Sequence, residues 1–202
     1  MNTPFNFHLT QFSNEAEILR YEVREFLSDA LKDISKETRA ETWYGADEEF
    51  SKKVGKKGWI GLNWPKEYGG AGRSAMERYV ILEEMLTAGA PVGAHWISDR
   101  QSGPLIIRYG TEKHQKELLP GILKGETYFC IGMSEPDSGS DLAALRTKAE
   151  KKDNIYIVNG TKLWTSGAHR CQYMIACFRT SQEEDRHGGL SQFIVDLSLP
   201  GI

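Results

Sequence analysis

No run of this sequence comes near the roughly 20 consecutive apolar residues of a bilayer-crossing helix, so no membrane span is expected. Met1 to Gln11 lacks the basic start and continuous apolar core of a secretory signal. Cysteine is scarce: the chain has only Cys130, Cys171 and Cys177, and an odd count makes no disulfide framework. A reducing compartment, the cytoplasm, is therefore the expected location. An excess of one charge is missing too. Lys and Arg total 25 against 28 Asp and Glu, so no positive field exists to hold a phosphate backbone, and no nucleic acid is expected as a partner. Lys52, Lys53, Lys56 and Lys57 read as a solvated helix end. His169, Cys171 and Cys177 follow no zinc spacing, so no metal is expected. Gly132-Met133-Ser134-Glu135-Pro136 lacks the second glycine of a nucleophile elbow, which argues against a serine hydrolase.

What is present is the balance of an ordinary globular protein, with 40% apolar and 26% charged residues, enough to build a core. Leu19, Val23, Phe26, Leu27, Ala30, Leu31 and Ile34 recur three and four apart and predict one buried helical stripe over 14–34, opened by an Asn14/Glu17 capping box. A shorter helix is expected from about Asp47 to just before Gly55 and Gly58. The stretch Gly58 to Gly72 has no helical period; its glycines, Pro65 and aromatics predict an ordered loop packed by its own rings. Ser74 with Glu77 opens another helix, with an apolar face including Met76, Tyr79, Val80, Leu82 and Leu86. Further helices are expected over 92–109 and 111–119, the second closed by Pro120.

After Gly125 the period shortens. Short strands are expected over 127–133, 155–158, 162–164, 173–180 and 192–197, with Asn159-Gly160 as a hairpin turn. Helices first and strands second give an α+β arrangement, with the boundary near Gly125. The last strand has nothing after it to cover the sheet edge, from which missing chain is expected.

Two segments are candidates for chemistry. Met133-Ser134-Glu135-Pro136-Asp137-Ser138-Gly139-Ser140-Asp141 is a run of small and turn-forming residues. Gly139 would allow a backbone nest for anionic oxygen, with Ser138 and Ser140 as added donors. Taken alone, the run reads first as a plain solvated turn. The second segment is Asn159-Gly160-Thr161-Lys162-Leu163-Trp164-Thr165-Ser166-Gly167.

Together these segments resemble the flavin-binding runs of the acyl-CoA dehydrogenase family. The loop Gly58-Trp59-Ile60-Gly61-Leu62-Asn63-Trp64-Pro65 and the run Tyr109-Gly110-Thr111-Glu112-Lys113 resemble two further family motifs. The resemblance covers nearly the whole chain. It implies an amino-terminal all-α helical domain (1–125) and an incomplete, antiparallel β-barrel-like flavin-binding domain (126–202). It also implies FAD as cofactor, an acyl-CoA substrate dehydrogenated across its α and β carbons, an electron-transfer flavoprotein as electron acceptor, and a homo-oligomer when complete. These are the attributes of an enzyme of fatty acid and lipid metabolism.

By position, the resemblance assigns the Met133 backbone and Ser134 to the flavin's pyrimidine and N5 edge. Ser166 would stand where the family's threonine reaches N5. Trp164 would pack beside the isoalloxazine, although a core tryptophan is the alternative reading. Ser140 would lie by the pyrophosphate and the CoA arm, Gly139 is counted with it as cofactor-binding, and Thr165, also counted so, departs from the usual isoleucine. Trp96 and Arg100 would wall the acyl pocket; for Arg100, a surface ion pair and contact with a polar or acidic acyl tail are both open. No residue matches the family's catalytic glutamate, so the chain is expected to be inactive alone. A non-catalytic partner subunit or binding module of the same fold is the rival reading.

Overall fold

The first helix starts one residue earlier than its capping box predicts, because Ser13 rather than Asn14 caps it, its side chain accepting from the Ala16 amide. The structure is a computed structural model that describes residues 11–202. The leader reading of Met1 to Gln11 therefore falls, but for Gln11, outside the described residues. Helix α1 spans Asn14–Ala30 and buries Leu19, Val23 and Leu27 on the predicted stripe. A short α2, Lys36–Ala40, was not anticipated. Helix α3, Glu48–Lys56, runs through Gly55, where a side chain would strike the Lys124 backbone at 2.5 Å, and Gly58 takes the left-handed conformation beyond its end.

Helix α4, Ala75–Thr87, has the predicted Ser74/Glu77 capping box. It buries Val80, Ile81 and Met85 but leaves Met76, Tyr79 and Leu86 exposed. Arg20 and Arg24 of α1 reach the buried Glu84 carboxylate of α4 at 2.5 and 2.7 Å, locking the two helices together.

The helix expected over 92–109 begins only at Trp96. Val92 bridges to Ala46 and the Gly93 amide donates to the Gly45 carbonyl, which holds the first residues of this stretch outside the helix. A π-helical turn, Ser98–Ser102, then leads into α5, Gly103–Tyr109. Helix α6, Glu112–Leu123, continues a turn past Pro120 because Ile122 is buried in the core beside Leu118 and Leu119.

The strands are β1 Phe129–Gly132, β2 Lys148–Lys152, β3 Ile155–Asn159, β4 Tyr173–Arg179 and β5 Leu190–Asp196. The α+β order is as expected, but the sheet is mixed rather than wholly antiparallel. Strand β4 pairs antiparallel with β5 on one edge, and parallel with β1 and the start of β2 on the other. The 133–172 connection supplies the long crossover that a parallel pair requires. The β2–β3 hairpin turns at Asp153-Asn154, with Asp153 at φ 53°, and not at Asn159-Gly160. Asp tolerates that left-handed turn. Gly160 instead permits a close approach, since a side chain there would meet Thr147 Oγ1 at 2.3 Å. No strand forms over 162–164.

The sheet is open among the described residues, and β3 is exposed along its whole length. Phe129 and Ile175 belong to the same buried cluster as Leu27, Trp59 and Ile106, so helices and sheet share one core. Among the described residues no helix is long and apolar enough to cross a membrane.

Candidate functional site

Where the helices meet the sheet, a cavity of about 540 Å³ opens. The sheet side contributes Met133, Ser134, Leu163, Trp164 and Ser166; the helical side contributes Trp43, Tyr44, Leu86, Trp96 and Arg100. Six residues singled out from the sequence thus come to one place: Met133, Ser134, Trp164, Ser166, Trp96 and Arg100. Gly139, Ser140 and Thr165 do not line it. Gly139 and Ser140 lie on an exposed turn, and Gly139 has an ordinary negative-φ backbone rather than a glycine-only one. Ser138 is buried and donates to the Asp141 carbonyl, so its hydroxyl is not a free donor. The Thr165 hydroxyl is buried without a partner among the described residues.

The two flavin-like runs are fastened by a feature that sequence reasoning passed over. Glu135 and Lys162 form a buried ion pair of 2.8 Å, with side chains only 7% and 8% exposed. Glu135 also accepts from the amides of Arg146 (2.6 Å) and Thr147 (3.0 Å). Lys162 also donates to the Met133 carbonyl, and the Leu163 amide donates to the Ser134 carbonyl at 2.8 Å. Burial alone would raise the Glu135 pKa, but the Lys162 ammonium and the two amides outweigh it and hold the carboxyl at about 2. Both residues stand in the quoted runs, and their opposite charges were the available signal.

This fastening leaves Trp164 in a left-handed backbone, φ 58°, with 86% of its surface exposed at the cavity. It is not a core tryptophan. Neither the Ser134 nor the Ser166 hydroxyl is engaged by a partner among the described residues, so both are free to donate to a ligand. An exposed aromatic plate beside two unspent hydroxyls fits a flat heteroaromatic group such as a flavin.

Trp43, Tyr44 and Arg170 also line the cavity and were not anticipated; the adjacent pair of aromatics outside any expected helix was the available signal. Cys171 lines it as well. The neighbouring Cys130 thiol and burial both push the Cys171 pKa up, so it faces the cavity protonated. Among the described residues no three His, Cys, Asp or Glu gather as metal ligands.

Behind the helical wall, buried polar groups set its position. Asp99 accepts from the Gly61 amide at 2.7 Å and from Arg78 at 2.6 Å, joining the 58–72 loop and α4 to the π turn. His95 is buried with Nδ1 2.8 Å from Ser51 Oγ of α3. Burial pushes its pKa down to about 4; the Asp99 charge opposes this shift and the Arg78 charge adds to it. A base with a depressed folded pKa binds its proton first in the unfolded chain, so stability is full above about 6.5 and falls as pH drops towards 4. Unfolding free energy should therefore fall by about 2 kcal/mol between neutrality and about pH 5, above the carboxylate range. Denaturant titrations at both pH values should show the loss, and His95→Gln should largely abolish the difference.

The comparisons with known proteins fall on this architecture. The profile described as "Acyl-CoA dehydrogenase, N-terminal domain" matches residues 13–126, and that of the "middle domain" matches residues 130–202. The chain belongs to the acyl-CoA dehydrogenase family. Among similar curated proteins is acyl-CoA dehydrogenase FadE26 of Mycobacterium tuberculosis, 36% identical over 94% of this chain and 49% of the relative. Mitochondrial isovaleryl-CoA dehydrogenase of Pongo abelii is 30% identical over 98% of this chain and 47% of the relative. The solved Tcur3481-Tcur3483 steroid ACAD is 37% identical, with a TM-score of 0.86 over 95% of this chain and 50% of that one. A Mycobacterium smegmatis glutaryl-CoA dehydrogenase solved with FADH2 is 26% identical, with a TM-score of 0.78 over 94% of this chain and 47% of its own. The acyl-CoA dehydrogenase chain described here thus spans about half the length of the relatives it matches.

Proposed function

We propose that this chain serves the FAD-dependent removal of two hydrogens across the α and β carbons of an acyl-CoA thioester, cradling the flavin and walling one side of the acyl site. The observation that carries this reading is the shared cavity: Ser134, Trp164 and Ser166 on the sheet side face Trp96 and Arg100 on the helical side. FAD, when bound, supplies the hydride acceptor. Trp164 would cover the ring system and exclude water from it, while the Ser134 and Ser166 hydroxyls would donate to its electron-rich edge. Ser140, on the exposed turn, is proposed for the pyrophosphate. No residue of this chain is proposed as the base that takes the α proton; among the described residues the cavity lining holds no carboxylate. An electron-transfer flavoprotein is the proposed electron acceptor.

The test is a titration of the folded chain with FAD, followed by quenching of flavin fluorescence. Binding is expected, and Trp164→Ala should weaken it about tenfold through loss of the stacked indole, with a smaller loss for Ser166→Ala. A folded, colourless protein that ignores added FAD would overturn the cofactor assignment.

A further inference from the structure

One wall of the cavity is a chain of aromatic rings ending in a cation at each end. The Arg170 guanidinium lies 5.0 Å from the Tyr44 ring centre, and the Arg100 guanidinium 5.2 Å from that of Trp96. Between them the rings of Tyr44, Trp43 and Trp96 follow one another at 6.1 and 6.4 Å.

Neither arginine has a carboxylate partner among the described residues. Several arginines elsewhere in the fold do, Arg24 pairing with Glu84, Arg73 with Glu77 and Arg78 with Asp99, while Arg39 and Arg179 are held by backbone carbonyls instead. The ion pair open to Arg100 from the sequence is therefore not made. Arg170 Nε is buried with no hydrogen-bond partner among the described residues. Among the described residues, the cavity lining contains these two cations and no Asp or Glu. A guanidinium stacked on a ring keeps its in-plane N–H fork free, and that fork matches a carboxylate.

We infer that the acyl groups taken by this site carry a carboxylate at the end remote from the thioester, and that Arg100 and Arg170 recognise it. The inference rests on the function proposed above and narrows its substrate class to monothioesters of dicarboxylic acids. An acid end without a partner would lose its water on entering so aromatic a cavity, so the two cations favour the acid over its neutral ester.

The experiment compares adipoyl-, suberoyl- and sebacoyl-CoA with their methyl esters in calorimetric titrations of the FAD-loaded chain. The free acid of at least one length should bind about tenfold more tightly than its ester, as expected for one charge-assisted pair. Arg100→Gln or Arg170→Gln should abolish that preference, depending on which cation the acyl length reaches, and the lysine variant at the same position should restore part of it. Equal affinity for acid and ester at every length overturns the inference. So does a variant that weakens acids, esters and acetyl-CoA alike, which would place the arginines on the CoA phosphates. FAD retention without an acid preference defeats this inference alone, whereas failure to bind both FAD and every thioester defeats the proposed function and this inference with it.

Discussion

Lys162→Met should cost about 3–5 kcal/mol of folding stability, the usual consequence of removing one member of a buried ion pair. The substitution leaves Glu135 ionised in a site closed to water, with only the Arg146 and Thr147 amides to support it. It also removes the bond to the Met133 carbonyl, so the two runs that form the sheet side of the cavity lose their fastening. Denaturant unfolding measures the loss, and FAD affinity should fall with it. The double variant Glu135→Gln/Lys162→Met should recover part of the stability, because no uncompensated charge remains. A loss below about 1 kcal/mol would show that water reaches this pair and that it does not anchor the site.

Trp64→Ala should be of similar size, about 3–5 kcal/mol, as for other large buried aromatics. The Trp64 indole fits against Gly103, where a side chain would approach its ring to 2.0 Å, and packs over Gly61. Its Nε1 donates to the Asp99 carbonyl at 3.2 Å. It is thus the peg between the glycine-rich loop and the π turn that positions Trp96 and Arg100. Trp64→Phe should keep most of the packing and cost about 1–2 kcal/mol. If thermal unfolding places Trp64→Ala within that smaller range, the loop is not held by its indole.

These two residues mark how far the sequence could be read. The glycine and aromatic content of 58–72 already pointed to a ring-packed loop, because side-chain size and backbone freedom are local properties. The capping box at Ser74, the strand β4 and the gathering of Ser134, Trp164 and Ser166 were legible in the same way or through family resemblance. Pairing direction was not, since nothing local distinguishes a parallel partner that arrives after a long crossover. Strand β2, Lys-Ala-Glu-Lys-Lys, reads as a charged loop and becomes a strand only because β3 and β4 offer it partners. Asn159-Gly160 carried the stronger turn signal, yet the close approach to Thr147 claimed Gly160 for packing. The late start of the helix expected from 92 likewise came from a distant contact, the Ala46–Val92 bridge. Arg170 was invisible as a cavity residue because its place depends on Tyr44, more than a hundred positions away in the chain.

The left-handed backbone of Trp164 has a consequence for how a ligand would be met. A bulky residue held at positive φ costs about 1–2 kcal/mol, and here that strain is sustained by the bonds of Leu163 to Ser134 and of Ser166 to the Trp164 carbonyl. The segment is thus rigid at the expense of folding, and an incoming ring system finds its plate already set. Calorimetry of flavin uptake should then show little entropic penalty for ordering this segment.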